Sequence, residues 1–563
     1  MIKFYFLLLF FIFSTLGFGL FLKQKILNNN TSGSLGEIGI LGLIFVAFYA
    51  TIFHFFLPLS AHINIFFHII GIIFFLINCK NFIKKSQKFE YFIFLLSLLY
   101  ALILFYLHKP NEDFGFYHLP YIVNFTNEKI IFGLSSLQVQ QGWNSIWLNI
   151  HSAFVIDALD YTSVYLLNSI FFIFIVSIFT SEIIKYLKSQ DYNFKIIFYF
   201  SLLFLLFFLI KFSRLNSYGL DVPGNFLLII AVLYFFKTFE SDKTNVNYFM
   251  LITIFILFSI TIRISNLPFV IIIIYLFLKN KLYTQVIFSK FFLFIVIFFS
   301  SWAIQQFIYI GCFVIPNELT CFDTSWHDKN FLKAFSDSTI TINKGYQSYN
   351  GNLTTIQYYQ NFRWVPTWFF GNYIELSEYL ITFCAPIIVL LISKKSQKIK
   401  NSKYPNYNND FYILTAALII AIGIWFYNSP VIRMGNHLIM LFIFSVLIHF
   451  NFFKKLINTE ISQKTVYSLI IFSLLFVGVK NLNRISKTEN NTGNAPWPKF
   501  IKPEYNTTYQ DNLFLNTIIP GNDPQTSVCW GTAFICSTGN FKNLELSRTT
   551  KGYLFIKKNI KKR

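Results

Sequence analysis

Long uninterrupted apolar runs dominate this chain, and they restrict its fold more than any other feature. Stretches such as Phe4–Leu22 and Phe291–Ile310 are long enough to cross a bilayer, which takes about 20 consecutive apolar residues. A soluble fold with many such runs would need polar surface to cover them. That surface is missing: 13% of the 563 residues are charged and 55% are hydrophobic, whereas a soluble domain carries about 25% charged residues. The sequence therefore predicts an all-α polytopic membrane protein with the lipid bilayer as its principal partner.

The net charge of +21 does not point to nucleic acid, because the lysines form no patch. They sit in short clusters between apolar runs, such as Lys80, Lys84, Lys85 and Lys88, or Lys394, Lys395, Lys398, Lys400 and Lys403. Window reading gives about fourteen spans. They lie near 3–22, 37–59, 62–78, 89–107, 161–180, 194–211, 223–239, 247–262, 265–278, 286–310, 373–393, 411–427, 431–452 and 466–481. The 265–278 run is short enough to be re-entrant. Basic residues collect after the odd-numbered spans, which places those connections in the cytoplasm. Loops 108–160 and 311–372 and the tail 482–563 then face outward, as do both termini. Residues 1–481 form a transmembrane domain, and the polar tail packs on the outward loops as a small α/β cap.

Cysteine placement agrees with this orientation. Cys312 and Cys321 share one outward loop, and Cys529 and Cys536 share the tail. Both pairs lie on the oxidising side, where disulfides persist. Zinc is the alternative, although no histidine or further cysteine has ligand spacing beside them. Cys79 and Cys384 read as packing residues.

The first outward segment carries the most chemistry. Glu112 and Asp113 stand just outside a predicted span, and His118 follows five residues after Asp113. An aromatic stretch through Trp143 and Trp147 then runs far enough to lie along a membrane surface. Such carboxylates could serve as a general base facing a lipid-linked substrate, with Glu112 as a second carboxylate or a metal partner. They could equally be a solvated acidic turn. His118 could orient Asp113 or cap the segment that follows.

The run Asp113-Phe114-Gly115-Phe116-Tyr117-His118-Leu119-Pro120 resembles the first-loop acidic motif of GT-C fold glycosyltransferases. It is most similar to a bacterial subgroup with Asp followed by Tyr-His-Leu-Pro. Four shorter elements resemble that subgroup too: Asp221-Val222-Pro223, Cys312 to Cys321 before Trp326, Pro430 to Gly435 around Arg433, and Cys529-Trp530 with Cys536. The resemblance implies a polyprenyl-phosphate sugar donor, an envelope glycan or lipid acceptor and a site in a bacterial inner membrane. It implies no obligatory cofactor. It also implies a catalytic carboxylate in the first outward loop, followed by an amphipathic helix along the membrane, here within 120–150.

On this reading Asp113 is the base, Asp221 a supporting acid, and Arg433 a phosphate contact, since arginine's planar fork matches phosphate oxygens. Arg214, Arg263, Lys211 and Arg363 are further outward cations. Arg433, Arg214 and Lys211 could instead be interfacial anchors, Arg263 could mark a hairpin, and Asp221 could cap a helix. The aromatic loop from Asn361 to Gly371 could shape an acceptor site or form an interfacial belt. A polysaccharide polymerase or ligase would place catalytic Arg and His in a large late outward loop, where 311–372 offers Arg363 and His327. A flippase would place ionisable groups at mid-membrane and repeat half of its fold. Few charges and no repeat are seen here.

Overall fold

A computed structural model describes residues 2–29, 33–85, 88–106, 113–143, 145–156, 161–189, 195–211, 219–239, 246–315, 317–327, 329–392, 408–449, 462–487, 504–510, 513–519, 529, 535–537 and 544–558. Glu112, Arg214, Trp530 and the Lys394–Lys403 cluster lie outside them. The helices of the first half are α1 Ile2–Phe21, α2 Leu35–His54, α3 Ala61–Lys85, α4 Lys88–Tyr106, α5 Leu119–Asn127, α6 Ile146–Ala153, α7 Val164–Ser189, α8 Lys195–Lys211, α9 Asp221–Lys237 and α10 Val246–Ile262. There follow α11 Val270–Lys279, α12 Tyr283–Ile287, α13 Lys290–Ile310, α14 Lys329–Asn343, α15 Thr355–Tyr359, α16 Val365–Ile392, α17 Asn408–Asn428, α18 Ile432–His449 and α19 Gln463–Lys487.

Each predicted span overlaps a helix among the described residues. Among the described residues, 9 helices are long and apolar enough to cross a membrane. The others are shorter: α8 and α9 have 17 residues each, or about 26 Å of rise, against roughly 30 Å of hydrocarbon. The run predicted near 265–278 opens as a 3-10 turn, Ile264–Phe269, with Pro268 inside it. That proline supplies no amide donor to the preceding turn, so a regular helix starts only at Val270.

Helices α1, α2 and α3 pack backbone to backbone. A Cβ on Gly17 would lie 1.8 Å from Gly71 O, and one on Gly42 would lie 1.8 Å from Thr15 O. Small residues allow this approach where lipid offers no hydrophobic drive between helices.

Helix ends fall into two sets. One end joins Lys23, just after α1, to Glu37 in α2 at 2.5 Å, and Lys237 at the end of α9 to Glu182 in α7 at 2.9 Å. These are connections assigned inward by lysine placement. The opposite end of α9, about 24 Å away by helical rise, starts at Asp221. There the connections assigned outward meet. Phe4 of α1 lies 4.8 Å from Phe105 of α4 between ring centroids, so the start of α1 belongs to this same end.

The segment after Asp113 differs from the amphipathic helix expected within 120–150. It is broken into α5, two 3-10 turns at Leu134–Ser136 and Val139–Gly142, and α6. Trp147 is fully buried against Phe171 of α7. Polar side chains bonded inside the bundle hold this segment, including Asn149 Nδ2 to Gln305 Oε1 at 2.9 Å. It is a plug between helices rather than a surface helix.

The tail also departs from the α/β expectation. Helix α19 continues to Lys487, and beyond it the described residues form strands only. These are β1 Tyr505–Gln510, β2 Leu513–Ile518, β3 Cys536–Ser537, β4 Leu544–Arg548 and β5 Leu554–Lys558. β1 and β2 are antiparallel, with β3 parallel to β2; β4 and β5 form a hairpin. The hairpin docks on the first loop. Phe132 N–H donates to Leu554 O and Ile556 N–H to Phe132 O, both at 2.9 Å, while Arg548 makes a two-pronged contact with Glu128 at 2.6 and 3.0 Å. Cys312–Cys321 and Cys529–Cys536 are both disulfide-bonded, and Cys79 and Cys384 are free.

Candidate active site

Four segments distant in sequence meet where the chain repeatedly changes direction. Asp113 precedes a π-helical turn, Phe114–His118, that runs directly into α5. Asp221 is the first residue of α9, after Gly219 at φ +53°. Glycine suits that turn twice over, since a Cβ there would also meet His118 Cε1 at 3.0 Å. Arg263 leaves α10 with extended backbone. Arg433 is the second residue of α18, three residues after Pro430.

The four charges form one chain. Arg263 Nη1 lies 2.6 Å from Asp221 Oδ1, Arg433 Nε lies 3.2 Å from Asp221 Oδ2, and Arg433 Nη2 lies 3.4 Å from Asp113 Oδ2. Asp221 is therefore held by two guanidinium groups. This differs from the capping role: the cap position falls on Leu220 and Asp221 is the first residue of α9, so its carboxylate is directed to the two guanidinium groups instead. Arg263 likewise does more than mark a hairpin. Its stem lies along Gly224, where a Cβ would meet its Cγ at 3.0 Å.

Exposure divides the chain. Arg263 and Asp221 are 10% and 15% exposed, whereas Asp113 and Arg433 are 38% and 43% exposed. The inner pair is the more shielded and is joined by the shortest contact. The outer pair is more exposed and is joined by one long contact.

Supporting groups come from residues that sequence reading did not single out. Asn225 Nδ2 and Asn436 Nδ2 donate to Arg433 O at 3.2 and 3.1 Å. Asn266 Nδ2 donates to Gly224 O at 3.4 Å, and its Oδ1 faces His437 Nε2 at 3.3 Å. Their nearness in sequence to the charged residues, Asn225 to Asp221, Asn266 to Arg263, and Asn436 and His437 to Arg433, is the signal that could have flagged them. Tyr117 sits inside the motif and feels all four charges; burial first, then Asp113 and Asp221, pushes its hydroxyl pKa well above the ordinary value.

His118 is buried, and neither predicted role is seen: it makes no side-chain cap bond to α5, and its Nε2 has no partner among the described residues. Burial, then the charge of Arg433, pushes its pKa down to about 3. It is a neutral imidazole near pH 7, unsuited to donating a proton. His151 of α6, with Nδ1 likewise unpartnered among the described residues, is pushed down to about 3 by burial and then by His118.

Lys211 stands apart from the four-charge chain. It pairs with Glu378 at 2.6 Å and lies 4.1 Å from the Tyr379 ring, in keeping with an anchor. Cys312, Cys321 and His327 bring their ligating atoms within 4.8 Å of one another, although no histidine had ligand spacing in sequence. The fold supplies His327 by folding the loop back after the disulfide. With the sulfurs bonded to each other, the thiolates that zinc needs are consumed.

Residues 1–440 match the model of a family described as a domain of unknown function, DUF8201. The chain belongs to that family. The DUF8201 region contains Asp113, Asp221, Arg263 and Arg433, and its match ends within α18, before the strands of the tail. No curated protein and no solved structure matches this chain.

Proposed function

We propose that this DUF8201 protein is a GT-C-type inverting glycosyltransferase of a bacterial inner membrane. It moves a sugar from a polyprenyl-phosphate carrier to a cell-envelope acceptor at the outward face. One observation carries the reading: two carboxylates from separate outward loops share Arg433, and the partly exposed one belongs to the motif that resembles the family's first-loop acid.

Asp113 and Asp221 divide the work by environment. Asp221, fixed between Arg263 and Arg433, aims both guanidinium groups. A donor phosphate then competes with Asp113 for Arg433, whose fork offers charge-assisted bonds to phosphate oxygens. Released from that contact, Asp113 accepts the proton of the acceptor hydroxyl as its oxygen attacks the anomeric carbon. The bond from that carbon to the phosphate oxygen breaks, and the electron pair leaves with the lipid phosphate. Attack from the face opposite the leaving group inverts the anomeric centre.

The test uses the full chain in lipid nanodiscs with a panel of polyprenyl-phosphate sugars. Asp113→Asn keeps the shape and removes the basicity, so transfer should fall by at least about 100-fold with protein level unchanged. A well-folded Asp113→Asn variant with near-normal transfer overturns the assignment.

A further inference from the structure

Outside the four-charge chain, one lysine stands out. Lys344 follows α14 and is 4% exposed, yet among the described residues no carboxylate lies in ion-pair contact with it. Three aromatic rings surround its ammonium: Tyr359 at 4.7 Å, Tyr427 at 4.9 Å and Trp364 at 5.0 Å to the centroids. Ring faces attract a cation but leave its charge uncancelled. The position is built rather than incidental. Gly345 turns the chain at φ +82°, and Tyr358 Oη donates to Lys344 O at 2.9 Å.

This cage adjoins the candidate active site. Trp368 Nε1 donates to Pro430 O at 2.6 Å, Trp425 Nε1 to Val431 O at 3.0 Å, and Asn343 Nδ2 to Ser429 Oγ at 2.8 Å. These bonds fix the turn that joins Tyr427 of the cage to Arg433. Two rings on the rim remain open, with Tyr427 62% and Phe362 54% exposed. An aromatic face exposed beside a buried, unneutralised cation fits a ligand with both a flat apolar side and a negative group. Burial lowers the pKa of Lys344, the direction that an anionic partner would reverse.

We propose that Lys344 and its aromatic cage form an acceptor subsite for a saccharide bearing a negative charge. The sugar ring stacks on Tyr427 and Phe362 while its anionic group pairs with Lys344. The assignment of the bound sugar as acceptor rests on the glycosyltransferase reading; the binding site itself does not.

The test measures equilibrium binding to the full chain in nanodiscs, without turnover. The probes are a disaccharide containing glucuronic acid, its carboxyl-reduced neutral counterpart, a disaccharide phosphate and inorganic phosphate. The charged disaccharides should bind roughly tenfold or more tightly than the neutral one, as a charge-assisted bond implies. Lys344→Met should erase that preference and Lys344→Arg should keep it. Tyr427→Ala, at an exposed position, should weaken every disaccharide and carries the test if Lys344→Met fails to fold. Equal binding of charged and neutral sugars, a preference that survives in folded Lys344→Met, or inorganic phosphate binding as well as the disaccharides would overturn the proposal. These preferences support the subsite whether or not transfer is detected, so the two readings fail separately.

Discussion

The two ends of helix α9 carry similar residues in opposite circumstances. At the inward end, Glu37 accepts from Lys23 and from the Tyr234 hydroxyl, and Glu182 pairs with Lys185 and Lys237 at 2.7 and 2.9 Å. Lys23, Lys237 and both carboxylates there are 4–9% exposed. At the outward end, the chain from Arg263 to Asp113 begins well shielded and finishes more exposed, with its last contact at 3.4 Å. Charge count alone would make both ends candidate sites. The difference lies in completeness. A network whose carboxylates are buried and fully paired, with only Lys185 reaching outward, has little capacity left for a ligand and locks helices together. One that is firm at its root and loose at its tip can exchange a partner without losing its shape.

The comparison is easiest to break at the inward end. Glu37→Gln leaves Lys23 buried without its counter-charge, a change that costs about 3–5 kcal/mol for a buried pair. Thermal unfolding in detergent should show this loss, with transfer per folded molecule unchanged. Unaltered stability would mean that the network is not a structural lock. Asp221→Asn should act on both properties, because it weakens two charged contacts that each contribute roughly 1.5–3 kcal/mol. A variant that loses transfer without any stability would show that the root of the outward chain is as loose as its tip.

Smaller effects sharpen the contrast. Arg433→Ala should raise the KM for the lipid-linked donor roughly tenfold or more while expression holds, since Arg433 is partly exposed. An unchanged donor KM would remove arginine from phosphate binding. Acid should expose the burial of His118. Its folded pKa, about 3, lies below the unfolded value of about 6.5. Stability is therefore full above about pH 6.5 and declines as pH falls from there toward 3, by up to about 1.4 kcal/mol per pH unit for one such group. His118→Asn should lessen the slope of that part of the stability curve, with His151 still contributing; an identical curve would mean that other groups set it. Least of all, Arg548→Ala should cost only about 0.2–1 kcal/mol, because its pair with Glu128 is 39% exposed on the arginine side.

The sequence alone made legible the mostly helical architecture and its apolar, membrane-spanning character. Apolar run length and lysine placement are local properties of the chain, and the bilayer reads them directly. It also singled out Asp113, Asp221 and Arg433 through short motifs that resemble those of GT-C glycosyltransferases, and Arg263 as a further cation beside a span. Their shared contacts were not legible, since α9, α10, α18 and the first loop meet only after the bundle packs. The same limit explains the misreadings. The stretch 120–150 has the aromatic content of a surface helix, but partners such as Gln305 on α13 draw it inside, where its polar groups must be bonded. His327 approaches Cys312 only because the loop folds back, and the tail pairs with Phe132 across more than four hundred residues. Lys344 has no sequence signal at all, for its meaning lies in three rings from two separate segments. Which residues sit near water, lipid or the interior follows from composition and period; which charges stay open to a ligand depends on long-range packing that leaves some partners within reach and others not.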